Sequence, residues 1–309
     1  MTSTIPRARP AAVRRGRRRR WLAPALVLLF VGVLGLGGWA WWHGVIDALP
    51  VREHCTATAQ GRVAELDPEQ AGNAAVIAAV AVRRGLPGRA ATIGIATAVQ
   101  ESKLTNLPGG DRDSIGLFQQ RPSQGWGTPA QIRDPVYASN AFYDVLVKVE
   151  GYEDLPITKA AQTVQRSAFP SAYADHEPEA RVLASALTGY SPAGLTCVLS
   201  DVGTLKAQAA DAGGLTPRAR AVVRAAAREA GRTGVAVPGD PTAVRFTLPA
   251  KGARTAGWAL AQWAVARAGG LAVVSVETDG RRWERSRTDQ GWTVTPGTAP
   301  AGTVVVDVA

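Results

Sequence analysis

Apolar positions recur at spacings of three and four through the middle of the chain and alternate more closely near its end. The first pattern predicts helices from Pro68 to Arg84, Arg89 to Leu104, Asp134 to Lys148, Thr158 to Ser167 and Pro178 to Thr188. Asp134 before Pro135 reads as an N-cap and first-turn pair, Thr158 caps another helix, and Gly189 suits a C′ position. In the helix from Asp134, the residues Ala138, Ala141, Phe142, Val145 and Val149 form a core-facing stripe. Beyond Asp201 the pattern changes. Thr216-Pro217 opens a helix that closes near Gly231, and Gly252 to Ala268 gives another, carrying Trp258 and Trp263. Strand-like runs come next at Leu271 to Glu277, Arg282 to Arg287, Trp292 to Thr295 and Thr303 to Val308, with Asp279-Gly280 as a hairpin turn.

The longest apolar run lies near the start. Trp21 to Trp42 is an uncharged stretch of 22 residues, which as a helix would reach about 33 Å, against a bilayer core of about 30 Å. Trp21 at one end and Trp39, Trp41 and Trp42 at the other fit interfacial aromatic belts. Residues 1–20 hold eight arginines and no acidic residue, so the positive-inside rule keeps them cytoplasmic and exports the chain beyond His43. The competing reading is a cleavable signal peptide. The run is long for one, and Trp41-Trp42-His43 is a poor small-residue cleavage site. The tail carries +8 of the formal +10, so the other 289 residues carry only +2. That balance excludes a nucleic-acid partner for the exported part; the tail suits anionic membrane lipid.

Glu101-Ser102 closes the helix that begins at Arg89. Ile93, Ala96, Val99 and Gln100 follow one stripe of it, and Gly94, Thr97, Ala98 and Glu101 another. The small residues of the second stripe would let a neighbouring element approach and exclude water, which would raise the Glu101 pKa from about 4.3 towards roughly 6. A carboxylic acid that keeps its proton near neutral pH is what the cleavage of a glycosidic bond requires. The bland reading is a solvated charge at a helix end.

A Gly-rich polar loop separates Glu101-Ser102 from Ser114-Ile115-Gly116-Leu117-Phe118-Gln119. This pairing and its spacing resemble the signature of the soluble lytic transglycosylases of the lysozyme-like superfamily. The resemblance covers about residues 69–189. It implies that Glu101 is the catalytic acid, that Ser102 supports it, and that Gly116, Leu117, Phe118 and Gln119 line a glycan cleft, Phe118 standing where the family has Met. The family's later Tyr-Asn pair has no copy here; Gln165 would supply an amide and Tyr173 an aromatic ring in its place. Trp126 reads either as a sugar-stacking ring or as a core residue under a Pro/Gly-punctuated loop, and Arg121 as a partner for a carboxylated muramyl group.

The resemblance implies that Glu101 works alone, first as acid and then as base towards the muramyl 6-hydroxyl. A hydrolase would add a second carboxylate, Asp111, Asp113 or, less naturally, Asp134. A third reading, from another class, is a silent peptidoglycan-binding or assembly module. No cofactor is called for, and no cysteine spacing suits a metal; Cys55 and Cys197, the only cysteines, read as a disulfide of an exported protein. The expected fold class is therefore a mainly α lysozyme-like domain plus a small α+β C-terminal domain, preceded by one transmembrane helix. The segments are a basic tail (1–20), the spanning helix (21–42), a linker (43–68), the catalytic domain (69–198) and the small domain (199–309). The last faintly resembles zinc-dependent D,D-peptidase-like folds, but has no histidine after His176 to hold zinc, which implies a binding or packing role. The expected partner is peptidoglycan glycan, and the expected location the cell membrane with the folded part extracytoplasmic.

Overall fold

A computed structural model describes residues 22–42, 51–165, 173–287 and 290–309. The arginine tail, Trp21, His43 and the end of the helix expected to reach Ser167 lie outside the described residues. The chain divides into two units, Met1–Pro50 and Val51–Ala309. In the first, α1 (Leu22–Trp42) is helical, and its side chains are described over residues 28–39, all exposed. That stretch would reach about 18 Å. Among the described residues no helix is long and apolar enough to cross a membrane.

The second unit begins with a hairpin of β1 (His54–Ala59) and β2 (Arg62–Leu66), whose turn residues Gln60 and Gly61 both have positive φ. Two positive-φ residues make a turn whose twist matches antiparallel strands. The helices α2 (Pro68–Arg83), α3 (Gly88–Ser102), the short α4 (Pro129–Ile132), α5 (Pro135–Leu146), α6 (Ile157–Gln165) and α7 (Glu177–Leu187) come next. β3 (Leu195–Val198) then returns to pair with β1, Cys197 opposite Cys55, and the two are joined as a buried disulfide.

After α8 (Pro217–Ala230) come β4 (Val235–Val237) and β5 (Asp240–Thr247), then α9 (Ala253–Ala266), α10 (Ala268–Leu271), β6 (Val273–Thr278), β7 (Arg281–Glu284), β8 (Trp292–Val294) and β9 (Thr303–Val308). These strands form one antiparallel sheet ordered β4-β5-β9-β6-β7-β8. The Asp279-Gly280 turn joins β6 to β7 as expected.

The expected fold class is corrected on two counts. Among the described residues the molecule is mixed helix and sheet, at 46% helix and 18% strand with two antiparallel sheets, rather than mainly α. The helix expected to span a membrane, α1, does not qualify as a span over its described residues. The strands that change the class are β1, β2, β3, β4 and β5. β1 and β2 occupy what reads as linker, because β1 carries no large apolar residue and β2 only Val63 and Leu66. The boundary expected between 198 and 199 falls inside the second unit. There α9 packs on both α2 and α7, and the buried core runs continuously from Cys55 to Val308.

Candidate functional site

The helix that carries Glu101 is held from behind by α2. The α2 N-cap amide, Asp67 N, donates to Gln70 Oε1 (2.8 Å), and Gln70 Nε2 donates to the Lys103 carbonyl (2.9 Å). Asn73 Nδ2 donates to the Leu104 carbonyl (2.7 Å). The helix ends because Lys103 and Leu104 adopt left-handed backbone, the Leu104 amide returns to the Ala98 carbonyl, and the Leu104 side chain is buried. Farther up the same face, a Cβ on Gly94 would lie 2.8 Å from the Tyr143 hydroxyl and 3.0 Å from Ile77 Cγ2. The small stripe thus does admit close neighbours, from α2 and α5, two turns away from Glu101.

The Gly-Leu-Phe-Gln segment folds back over the end of α3. Ser102 Oγ donates to the Leu117 carbonyl (2.7 Å), Gln165 Nε2 donates to the Phe118 carbonyl (2.7 Å), and the Ile115 amide donates to the Gln120 carbonyl (3.0 Å). Gly116 has φ +78, and a Cβ there would lie 2.8 Å from the Ile132 carbonyl. Ser102, Leu117 and Phe118 are buried, Phe118 stacked on Phe142 with ring centroids 4.7 Å apart. Ser102, Gly116, Leu117 and Phe118 therefore build the wall of the site from inside and are not among the residues that line its opening.

That opening is a polar cleft of about 460 Å³, lined by Glu101, Asp111, Arg112, Ser114, Gln119, Gln120, Arg121, Gln124, Trp126 and Gln165. The Glu101 side chain is half-buried, and its Oε1 accepts from the Tyr173 hydroxyl at 2.7 Å. The two residues expected to stand in for a Tyr-Asn pair thus both reach the site: Tyr173 on the acid, Gln165 on the cleft wall. Trp126 is half-buried, at once part of the cleft lining and packed against the core.

Compared with known proteins, the chain matches no family model and no curated sequence.

The expected second carboxylates separate by environment. Asp113 is bound by the protein itself, accepting from Arg121 Nε (2.7 Å), Ser123 N (2.8 Å) and Ser123 Oγ (3.0 Å). The Arg121 bond, then the two from Ser123, hold its pKa well below the usual carboxylate range. Asp134 caps α5, accepting from Val136 N (3.0 Å), and pairs with Arg228 of α8. Asp111 is different: its side chain is 93% exposed and it lines the cleft, with Arg112 Nε 3.9 Å away.

Arg112, Ser114, Gln120 and Gln124 also line the cleft; of these, Ser114 lies in the signature segment, while none was given a role of its own from the sequence. Gln120 is the instructive one. It is buried, its Nε2 donates to the Ala138 carbonyl (3.3 Å), and its Oε1 has no partner among the described residues. A glutamine directly after Gln119, where alternation would put an apolar wall residue, was the available signal. Among the described residues no group of three or more His, Cys, Asp or Glu side chains suits a metal ion.

Proposed function

We propose that the chain is a peptidoglycan-cleaving lytic transglycosylase with Glu101 as its single catalytic acid and base. The observation that carries the reading is the Glu101 carboxylate in the wall of an open polar cleft, with the Tyr173 hydroxyl on one oxygen. Oε2 is then the oxygen that passes a proton to the leaving glycosidic oxygen as the C1–O bond breaks. The resulting carboxylate keeps the Tyr173 hydrogen bond, a charge-stabilising contact at the moment charge develops. The same carboxylate takes the proton of the muramyl 6-hydroxyl as that oxygen closes on C1, so a 1,6-anhydro ring forms and no water is consumed. Gln119, Gln165 and Arg121 offer amide and guanidinium groups to the sugar and its lactyl carboxylate, and Trp126 an apolar face.

A hydrolytic variant has one specific observation in its favour, the exposed Asp111 carboxylate on the same cleft. Placement outside the cytoplasm is supported by the Cys55–Cys197 disulfide. Glu101→Gln tests the assignment. It abolishes release of soluble fragments from purified peptidoglycan while binding of the insoluble polymer, measured by co-sedimentation, stays within about twofold. Unchanged cleavage would remove Glu101 from the mechanism.

A further inference from the structure

We infer that His176 is a positioning residue that holds the Tyr173 hydroxyl on Glu101, an inference that rests on the reading of Glu101 above. Tyr173 and His176 stand one turn apart at the two ends of a single 3-10 turn, Ala174–His176. They reach two consecutive residues of the last turn of α3: Tyr173 Oη donates to Glu101 Oε1 (2.7 Å), and His176 Nε2 bonds Gln100 Oε1 (2.8 Å). The His176 amide also meets the Tyr173 carbonyl (3.3 Å), so the turn closes on itself. The result is a two-pronged clamp between a short turn and the end of a long helix, one prong on the acid and the other on its neighbour.

The clamp matters because of where each side is anchored. The α3 side is rigid, fixed by Gln70 and Asn73 behind it and by Ser102 to the loop in front. The 3-10 turn runs directly into α7, which packs along α3. A hydrogen bond that must sit within a few tenths of an ångström of one carboxylate oxygen needs its backbone fixed in register with α3, and the His176–Gln100 bond supplies that register one residue away. Loss of it leaves Tyr173 in place on average but loosens the aim of its hydroxyl, and small misplacements of a reacting group cost large factors in rate.

The experiment uses the full chain labelled with carbon-13 at the tyrosine Cζ, which gives five resonances. That of Tyr173 is assigned by its loss in Tyr173→Phe. In His176→Ala this resonance moves in the direction produced by Glu101→Ala, kcat on purified peptidoglycan falls about tenfold with KM unchanged, and His176→Gln, which keeps a side-chain partner for Gln100, restores both. A Tyr173 resonance that stays in place in His176→Ala overturns the inference. A resonance that moves as described in His176→Ala, together with a wild-type protein that releases no fragments, overturns the catalytic reading and leaves the positioning role standing. Should His176→Ala fail to fold, His176→Asn is measured in its place against the same two outcomes.

Discussion

Asp113 lies in the loop between Glu101 and the Gly-Leu-Phe-Gln segment, and its carboxylate is committed to the protein itself. Arg121 and Ser123 bind it in the folded state, so its pKa there is depressed relative to the unfolded chain. The stabilisation this gives is fully present above the ordinary aspartate range of about 3.9 and is lost as the pH falls through the lower folded value. The thermal midpoint of Asp113→Asn should therefore lie below that of the parent at pH 7, with the gap narrowing steadily below about pH 4; a gap independent of pH would contradict the assignment. Gly94 makes a steric prediction on the opposite face of the site. Gly94→Ala places a methyl group against the Tyr143 hydroxyl and should destabilise by about 1–3 kcal/mol, as overpacking does. Tyr143→Phe in the same chain should recover part of that loss, measured by urea unfolding. A Gly94→Ala chain as stable as the parent would mean that α2 and α5 give way freely around this helix.

At the scale of elements, the disulfide joins directly opposed residues of β1 and β3, 142 residues apart in sequence. Closing a loop of that length stabilises by up to about 5 kcal/mol in the chain-entropy model. A Cys55→Ser, Cys197→Ser double variant should show a matching fall in unfolding free energy, and added reductant should lower the parent's stability but not the variant's. The helices were legible in the sequence because their signals are local: Asp134-Pro135 does cap α5, Thr216-Pro217 opens α8, and Asp279-Gly280 turns β6 into β7. The strands that escaped reading have non-local reasons to exist. β1 finds its second neighbour, β3, only at Leu195–Val198, and β5 pairs with β9, from Ala243 opposite Asp307 to Thr247 opposite Thr303. Gln60-Gly61, weaker than an Asn-Gly or Asp-Gly turn, and Pro238-Gly239 between β4 and β5 were the short-range hints. The site divides in the same way. Glu101 and Gln119 were named from two short stretches on either side of a loop and Trp126 from the loop that follows, whereas the stacking of Phe118 depends on Phe142 of α5, and the unpartnered Oε1 of Gln120 on the packing of the described residues around it.

At the scale of the folded body from Val51 to Ala309, the expected two domains share one core. Gln262 of α9 donates to the Ala186 carbonyl of α7 (2.7 Å), Arg228 of α8 pairs with Asp134 of α5, and Glu229 holds both Trp263 Nε1 (2.8 Å) and Arg267 (3.0 Å). The helix face of α2 is thereby covered by elements far later in the chain. Expressed alone, residues 51–199 would expose that apolar face and should bind a hydrophobic dye and unfold without a sharp transition, while the full chain should show one cooperative transition. Two well-separated transitions in the full chain would contradict the shared core. The claim on which the rest depends is chemical, and mass spectrometry of the soluble products from purified peptidoglycan tests it most directly. Glu101 acting alone as acid and base should give muropeptides ending in 1,6-anhydro-muramyl groups, absent with Glu101→Gln. Products heavier by one water with reducing ends would contradict it and point to Asp111, and no release from folded protein oxidised at Cys55 and Cys197 would contradict it altogether.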